Sequence, residues 1–232
     1  MLTAPLANHA PRTIVLAVAC AALAWATAGN AQQPAPPIQI PTVPVEKYTL
    51  PNGLTVLLSE DHSAPIAAVA VWYHVGSKNE KPGRTGFAHL FEHMMFTGSV
   101  HVAEGQHPKI VESVGGDFNG TTNNDRTVYY EVVPINELAT ALWLESDRMG
   151  FLPAAMTQER LNAQKNIVQN ERRQGVDNQP FGLAAENMMT ALFPADNPYS
   201  WPVIGSLADL SAASLDDVKG FFQRYYAPND AT

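Results

Sequence analysis

Hydrophobic and polar positions change period several times along the chain, and each change marks an element. Between 46 and 59, short apolar alternations flank Pro51-Asn52-Gly53, the pattern of a β-hairpin with a tight turn. Residues 66–75 are rich in Val and Ala and read as a buried strand. Over 86–97 the period becomes helical: Leu90, Phe91, Met94 and Met95 share one face, and Gly98 can end the helix. A short helix is expected over 108–114, strands over 118–122 and 127–133, and a helix over 136–149 begun by an Asn136 cap. A longer helical pattern covers 157–174, with Leu161, Ile167 and Val168 apolar. Further helices are expected over 182–192 and 214–225, the second with Ser214 as cap and Asp217 at its third position. Strands gathered early and helices later predict an α+β domain, one mainly antiparallel sheet covered by helices.

Composition fits that reading. The chain has 232 residues, 46% hydrophobic and 16% charged, enough for one substantial core. A net charge of −8 with no basic stripe argues against a nucleic-acid partner.

The N-terminus reads as a targeting segment. Arg12 precedes an uncharged apolar run over 14–28, and Gly29-Asn30-Ala31 offers small residues for cleavage. Residues 1–31 are therefore read as a signal peptide cut near Ala31, which sends the protein out of the cytoplasm, to the periplasm. The competing reading, a retained membrane anchor, suffers from an apolar run short for a span, so no stable membrane span is expected after cleavage. The one cysteine, Cys20, lies inside this segment in a poor lipoprotein context. The mature chain then has neither disulfides nor thiolate ligands. Residues 32–45, rich in Pro and Gln, read as an extended linker to a domain over 46–232.

The chemistry is concentrated in His89-Leu90-Phe91-Glu92-His93. This H-x-x-E-H order inverts the commoner zinc-protease motif. Residues four apart on a helix lie on one face, so His89 and His93 can offer two imidazoles to one ion. Glu92 beside them is placed to touch a metal-bound water rather than the metal, and a carboxylate there can take the water's proton. The plainer reading is a solvated polar face. The apolar surroundings weigh against it, because unpaired buried polar groups are costly and a metal partners them. Catalytic zinc takes three protein ligands. Glu171 is the best further candidate, but helix geometry does not fix so distant a residue, and a lone glutamate on a charged helix is usually a solvated one.

Several ordered segments together resemble the N-terminal half of the pitrilysin/insulinase family of metallopeptidases, the inverzincins. They are His89 to His93, the hairpin Leu50 to Val56, Val75-Gly76-Ser77 with Gly83 and Gly86, Gly115 to Thr122, Asp125 to Tyr130, and Asn170-Glu171-Arg172-Arg173. The resemblance implies one zinc ion per chain on His89, His93 and Glu171, with Glu92 as general base. It implies an edge strand at Asn119 and Thr121 that holds extended peptide; read alone, those two are ordinary edge-strand polar groups. It also implies a domain truncated at its C-terminal end, and a second peptidase-like domain or subunit as partner. One departure stands out: Gln164 occupies the place where some relatives carry a further glutamate.

The activity so implied is zinc-dependent endopeptidase cleavage of short or unfolded peptides. The alternative is a non-catalytic peptide-binding or assembly subunit of the same fold, although such subunits usually lose motif residues and this chain keeps them. A purely structural zinc site would need a fourth protein ligand, and none lies near the motif. Elsewhere, His74 is read as a strand histidine with its needs met, His62, His101 and His107 as loop residues, Tyr129 and Tyr130 as packing groups, and Asp125-Arg126 as structural. Trp201-Pro202 resembles a loop near the site.

Overall fold

The computed structural model describes residues 42–232. The signal-peptide reading, Cys20 and all but the last residues of the linker lie outside the described residues. Residues 42–45 are exposed and irregular. Among the described residues, no helix is long and apolar enough to cross a membrane.

Strands β1 (Glu46–Thr49) and β2 (Thr55–Leu58) form the expected hairpin, with Tyr48 opposite Val56. Its turn closes through Gly53 N–H to the Leu50 carbonyl at 2.9 Å and needs the positive φ of Gly53, 91°. Strands β3 (Ile66–Tyr73), β4 (Asp117–Thr122) and β5 (Thr127–Pro134) form a separate antiparallel sheet in the order β3-β5-β4. The single expected sheet is thus two ladders. The last residues of the chain lie between them: Thr55 N–H donates to Ala231 O, and Trp72 and Thr232 exchange backbone bonds at 2.7 and 2.9 Å. β5 is central and most buried, and β4 is an outer strand.

Seven helices are described: α1 (Phe87–Met94), α2 (Gln106–Ser113), α3 (Leu138–Ala155), α4 (Gln158–Arg172), α5 (Ala184–Leu192), α6 (Leu207–Ala212) and α7 (Leu215–Tyr225). The architecture is α+β, as the pattern predicted. α1 packs against β4, β5, α4 and α7. Its apolar side joins a core of Tyr73, Leu90, Phe91, Met94, Tyr129, Phe222 and Tyr226. The Phe91 and Tyr226 rings lie 4.2 Å apart and the Tyr73 and Tyr226 rings 4.5 Å. Burial of such rings is the main favourable term holding α1 to the sheet.

Some expectations are corrected. α3 follows a 3-10 turn over Ile135–Glu137; Asn136 is no cap, and its amide donates to Glu137 instead. α3 also continues past Met149 to Ala155, across Pro153. Pro153 falls in the last turn, where it removes the N–H that would bond the Met149 carbonyl, and buried Leu152 and Met156 hold that turn to the core. His107 is not in a loop; it lies in α2, buried, with Nε2 2.5 Å from Glu131. α6, capped by Ser206, was not foreseen. The Ser214–Asp217 capping box of α7 is present as read.

Candidate metal centre

The centre begins with the way α1 is started. Gly86, at φ 86°, turns the chain into the helix and offers no side-chain cap. The free N–H groups of the first turn are met from outside: Glu80 accepts from Gly86 N at 3.0 Å and from Ala88 N at 2.8 Å. Burial pushes the Glu80 carboxyl up to about 8, against the pull of these backbone donors. Asp209 holds the residue before, accepting from Thr85 N at 2.9 Å and from Thr85 Oγ1 at 2.6 Å. Phe87, Ala88, Leu90, Phe91 and Met94 are buried. Helical periodicity then turns His89, Glu92 and His93 toward β4 and α4.

Glu171 comes from the last turn of α4. Its neighbour Arg172 is clamped by both oxygens of Glu186, at 2.8 and 2.9 Å, and donates to Gly205 O at 2.9 Å. Glu171 Oε2 lies 3.7 Å from His89 Nε2 and 3.4 Å from His93 Nε2, and the two Nε2 atoms are 3.3 Å apart. Around one tetrahedral zinc held at about 2.0–2.2 Å, ligand atoms lie about 3.3–3.6 Å from one another. Two of the three separations fall in that range and the His89–Glu171 one is slightly longer, so the three atoms are close enough to hold one ion. Desolvation pushes His89 down to about 4, with its neighbour His93 adding to the shift. Desolvation also lowers His93, against the attraction of Glu171. Both shifts favour the neutral imidazole, the form that binds metal. His89 Nδ1 is buried without a hydrogen bond among the described residues, so this ring lacks the outer support that metal-bound imidazoles commonly have.

Glu92 stands apart from the three donors. Its Oε2 accepts from Thr122 Oγ1 at 2.5 Å. Burial raises its pKa, the Thr122 bond opposes that, and the charge of Glu171 adds to the rise.

The structure thus brings His89, His93 and Glu171 together, with Glu92 on the same helix as the histidines and bonded to Thr122. Asn119 and Thr121 lie on the neighbouring strand with their side chains on its exposed face: Asn119 Oδ1 accepts from Gly120 N, and Thr121 Oγ1 accepts from Arg126. Their strand-mates Gly120 and Thr122 face Glu92 instead, and sequence reasoning missed both. The period-two alternation of β4, counted from the motif, was the signal that could have found them.

The other described histidines lie outside the centre. His74 bonds to Asp230 O and His101 to Asp147, and exposed His62 lies 3.5 Å from Glu60. Asp125 accepts from Lys78 and Tyr199, while Arg126 covers the Trp72 ring at 4.7 Å, both structural roles. Trp201 Nε1 donates to Ser77 O and pins its loop. Tyr129 is fully buried, its hydroxyl 3.3 Å from that of Tyr226.

The α+β frame brings an H-x-x-E-H pair and a carboxylate from a second helix within reach of one another. Residues 55–205 match the family profile described as Insulinase (Peptidase family M16), and the chain belongs to that family. It is 33% identical over 187 residues to the zinc protease PqqE of Helicobacter pylori, covering 80% of this chain and 41% of that protein. It is 26% identical over 204 residues to the mitochondrial-processing peptidase subunit beta of Blastocladiella emersonii, covering 87% of this chain and 42% of that one. Among solved structures, a protease from Helicobacter pylori superposes with a TM-score of 0.78 at 32% identity, over 82% of this chain and 45% of that one. Pitrilysin superposes with a TM-score of 0.72 at 23% identity, over 86% of this chain and 22% of that one, which shows the shared fold. The chain spans about two fifths of the length of the curated relatives it matches, 41% and 42% for the two named here.

Proposed function

We propose that this protein is a zinc-dependent endopeptidase acting on short or unfolded peptides, with one zinc ion per chain held by His89, His93 and Glu171. The observation that carries this reading is the convergence of two imidazole nitrogens and one carboxylate oxygen at separations of 3.3, 3.4 and 3.7 Å. Two imidazoles and a carboxylate suit zinc. The names of relatives such as the zinc protease PqqE support the same metal and the same reaction class. When bound, zinc polarises a carbonyl oxygen and makes a nearby water acidic enough to attack at neutral pH. Glu92 takes the proton of that water and later gives it to the leaving amine. Its raised pKa suits a base that must also serve as an acid. The free edge of β4, running past Asn119 and Thr121, accepts the peptide as an added strand, so its backbone lies alongside Glu92.

Because the relatives are more than twice as long as the matched region, a second peptidase-like domain or subunit completes the working protein. Export to the periplasm rests on the signal-peptide reading of residues 1–31. It is in keeping with a structural neighbour, the periplasmic protease PqqL of Escherichia coli.

Metal content and hydrolysis of a quenched-fluorescence peptide, compared for the wild-type protein and Glu92→Gln, test the proposal. The expected outcome is about one zinc per chain in both, with cleavage by wild type alone. A wild type that binds no metal, or that binds it and cleaves none of a diverse peptide set, would favour a non-catalytic peptide-binding subunit.

A further inference from the structure

We propose that Thr122 is a positioning residue that fixes the carboxylate of Glu92 by a single directed hydrogen bond, with Gly120 keeping the slot open. This rests on the reading of Glu92 as the general base. Among the described residues, Thr122 is the one group hydrogen-bonded to the Glu92 side chain, at 2.5 Å to Oε2. A threonine hydroxyl has one proton to give. Its other nearby acceptor, Thr127 Oγ1, lies 3.3 Å away. Thr127 spends its own proton on the Val75 carbonyl at 2.9 Å, so it has none to return to Thr122. The nearer, charged acceptor takes the Thr122 proton, because hydrogen bonds to an ionised carboxylate are the stronger kind. Oε2 is thereby engaged, and Oε1 is left for chemistry.

The same strand face is also shaped by what Gly120 lacks. A Cβ there would lie 3.0 Å from Glu92 Cγ, 3.1 Å from the Phe96 ring and 3.2 Å from Glu92 Oε1. A side chain at this point would push on the same oxygen that Thr122 leaves free. Gly120 and Thr122 are two apart on β4, so their inward faces meet the same stretch of α1. One strand therefore carries both the bond that orients the base and the gap that admits it, while its outward face and edge are left for peptide.

The test uses the intact protein and three variants: Thr122→Val, Thr122→Ser and Gly120→Ala. Thr122→Val keeps shape and β-propensity but removes the donor. It is expected to keep its zinc content and KM while kcat falls roughly tenfold to a hundredfold, the weight of one hydrogen bond to a charged group. Thr122→Ser restores the donor and should recover kcat to within about threefold of wild type. Gly120→Ala should also lower kcat with zinc retained. A second readout does not depend on activity: crystal structures of the metal-free wild type and Thr122→Val. Glu92 should hold one conformer in the first and leave it in the second. An unchanged kcat in Thr122→Val, a Ser variant as impaired as the Val variant, or a Glu92 conformer indifferent to the hydroxyl overturns the inference. Failure of the underlying reading shows separately, as wild-type protein without cleavage or Glu92→Gln with full activity.

Discussion

A Cβ placed on Gly205 would fall 2.4 Å from the Cα of Gly86, so these two glycines lie back to back at the point where both ligand-bearing helices are tied. Gly86 begins α1, which carries His89 and His93. The Gly205 carbonyl receives Arg172, the neighbour of Glu171 on α4. Both glycines have positive φ, 86° and 74°, where a Cβ is strained even in open space. Gly205→Ala therefore combines strain with overlap and should cost more than about 2 kcal/mol of stability. It should also weaken zinc binding although no ligand is changed. Urea unfolding and a calorimetric zinc titration check both effects; a variant with wild-type zinc affinity would show that this contact does not set the ligand geometry.

Glu80 closes the same helix end from the other side. Its two carboxylate oxygens answer Gly86 and Ala88, donors that have no partner inside the helix. Glu80→Ala leaves those N–H groups buried without acceptors and should destabilise by about 1–3 kcal/mol. Glu80→Gln keeps one acceptor oxygen. It answers one of the two N–H groups and should cost less than the alanine. Thermal unfolding of the two variants at pH 7 ranks them; an alanine variant as stable as the glutamine variant would remove Glu80 from the account of α1.

Asp209 gives a pH dependence whose sign can be worked out. Burial raises its carboxyl, but the side-chain and backbone bonds from Thr85 and the bond from Ser206 outweigh that and hold it below the usual aspartate value. A carboxylate whose folded pKa is depressed stabilises the fold above its unfolded pKa, near 4, and loses that contribution as pH falls through the folded value. Stability should therefore drop below about pH 4 partly on this account, and Asp209→Asn should show a shallower acid slope with lower stability at pH 6. Denaturant midpoints of wild type and variant between pH 2.5 and 6 carry the test. Parallel slopes would mean that Asp209 does not report on acid unfolding.

Much of this arrangement was legible because it is local. The pairing of His89 with His93 follows from one helical turn, the hairpin from Asn52-Gly53, and the start of α7 from Ser214 and Asp217 three residues on. What could not be read is what meets across the fold. Glu171 reaches the histidines from another helix, and its role came from resemblance to a family, since no spacing rule spans that distance. His107 read as a loop residue because the helix was expected to begin at Pro108; it begins at Gln106, and the His107 ring meets Glu131 on the central strand. α6 is too short to leave a periodic trace, and the extension of α3 through Pro153 is decided by burial of Leu152 and Met156, not by propensity.

Near α1 lies a buried group of charges that serves packing. Arg148 is almost wholly enclosed, makes a two-pronged bond to Glu145, and lies over the Phe96 and Tyr129 rings at 5.1 and 4.6 Å. Burial works against its charge, but Glu145 and Glu131 more than compensate and raise its pKa. Glu145 in turn is raised by burial against the pull of Arg148. Removing the arginine alone strands a buried carboxylate, which costs far more than removing both partners. Arg148→Met should lose about 3–5 kcal/mol, while Arg148→Met with Glu145→Leu should lose clearly less than the single change. The four proteins of this cycle, compared by urea unfolding, decide it. If the double variant is no more stable than Arg148→Met, the loss comes from the empty space over Phe96 and Tyr129, and the ion pair is incidental to it.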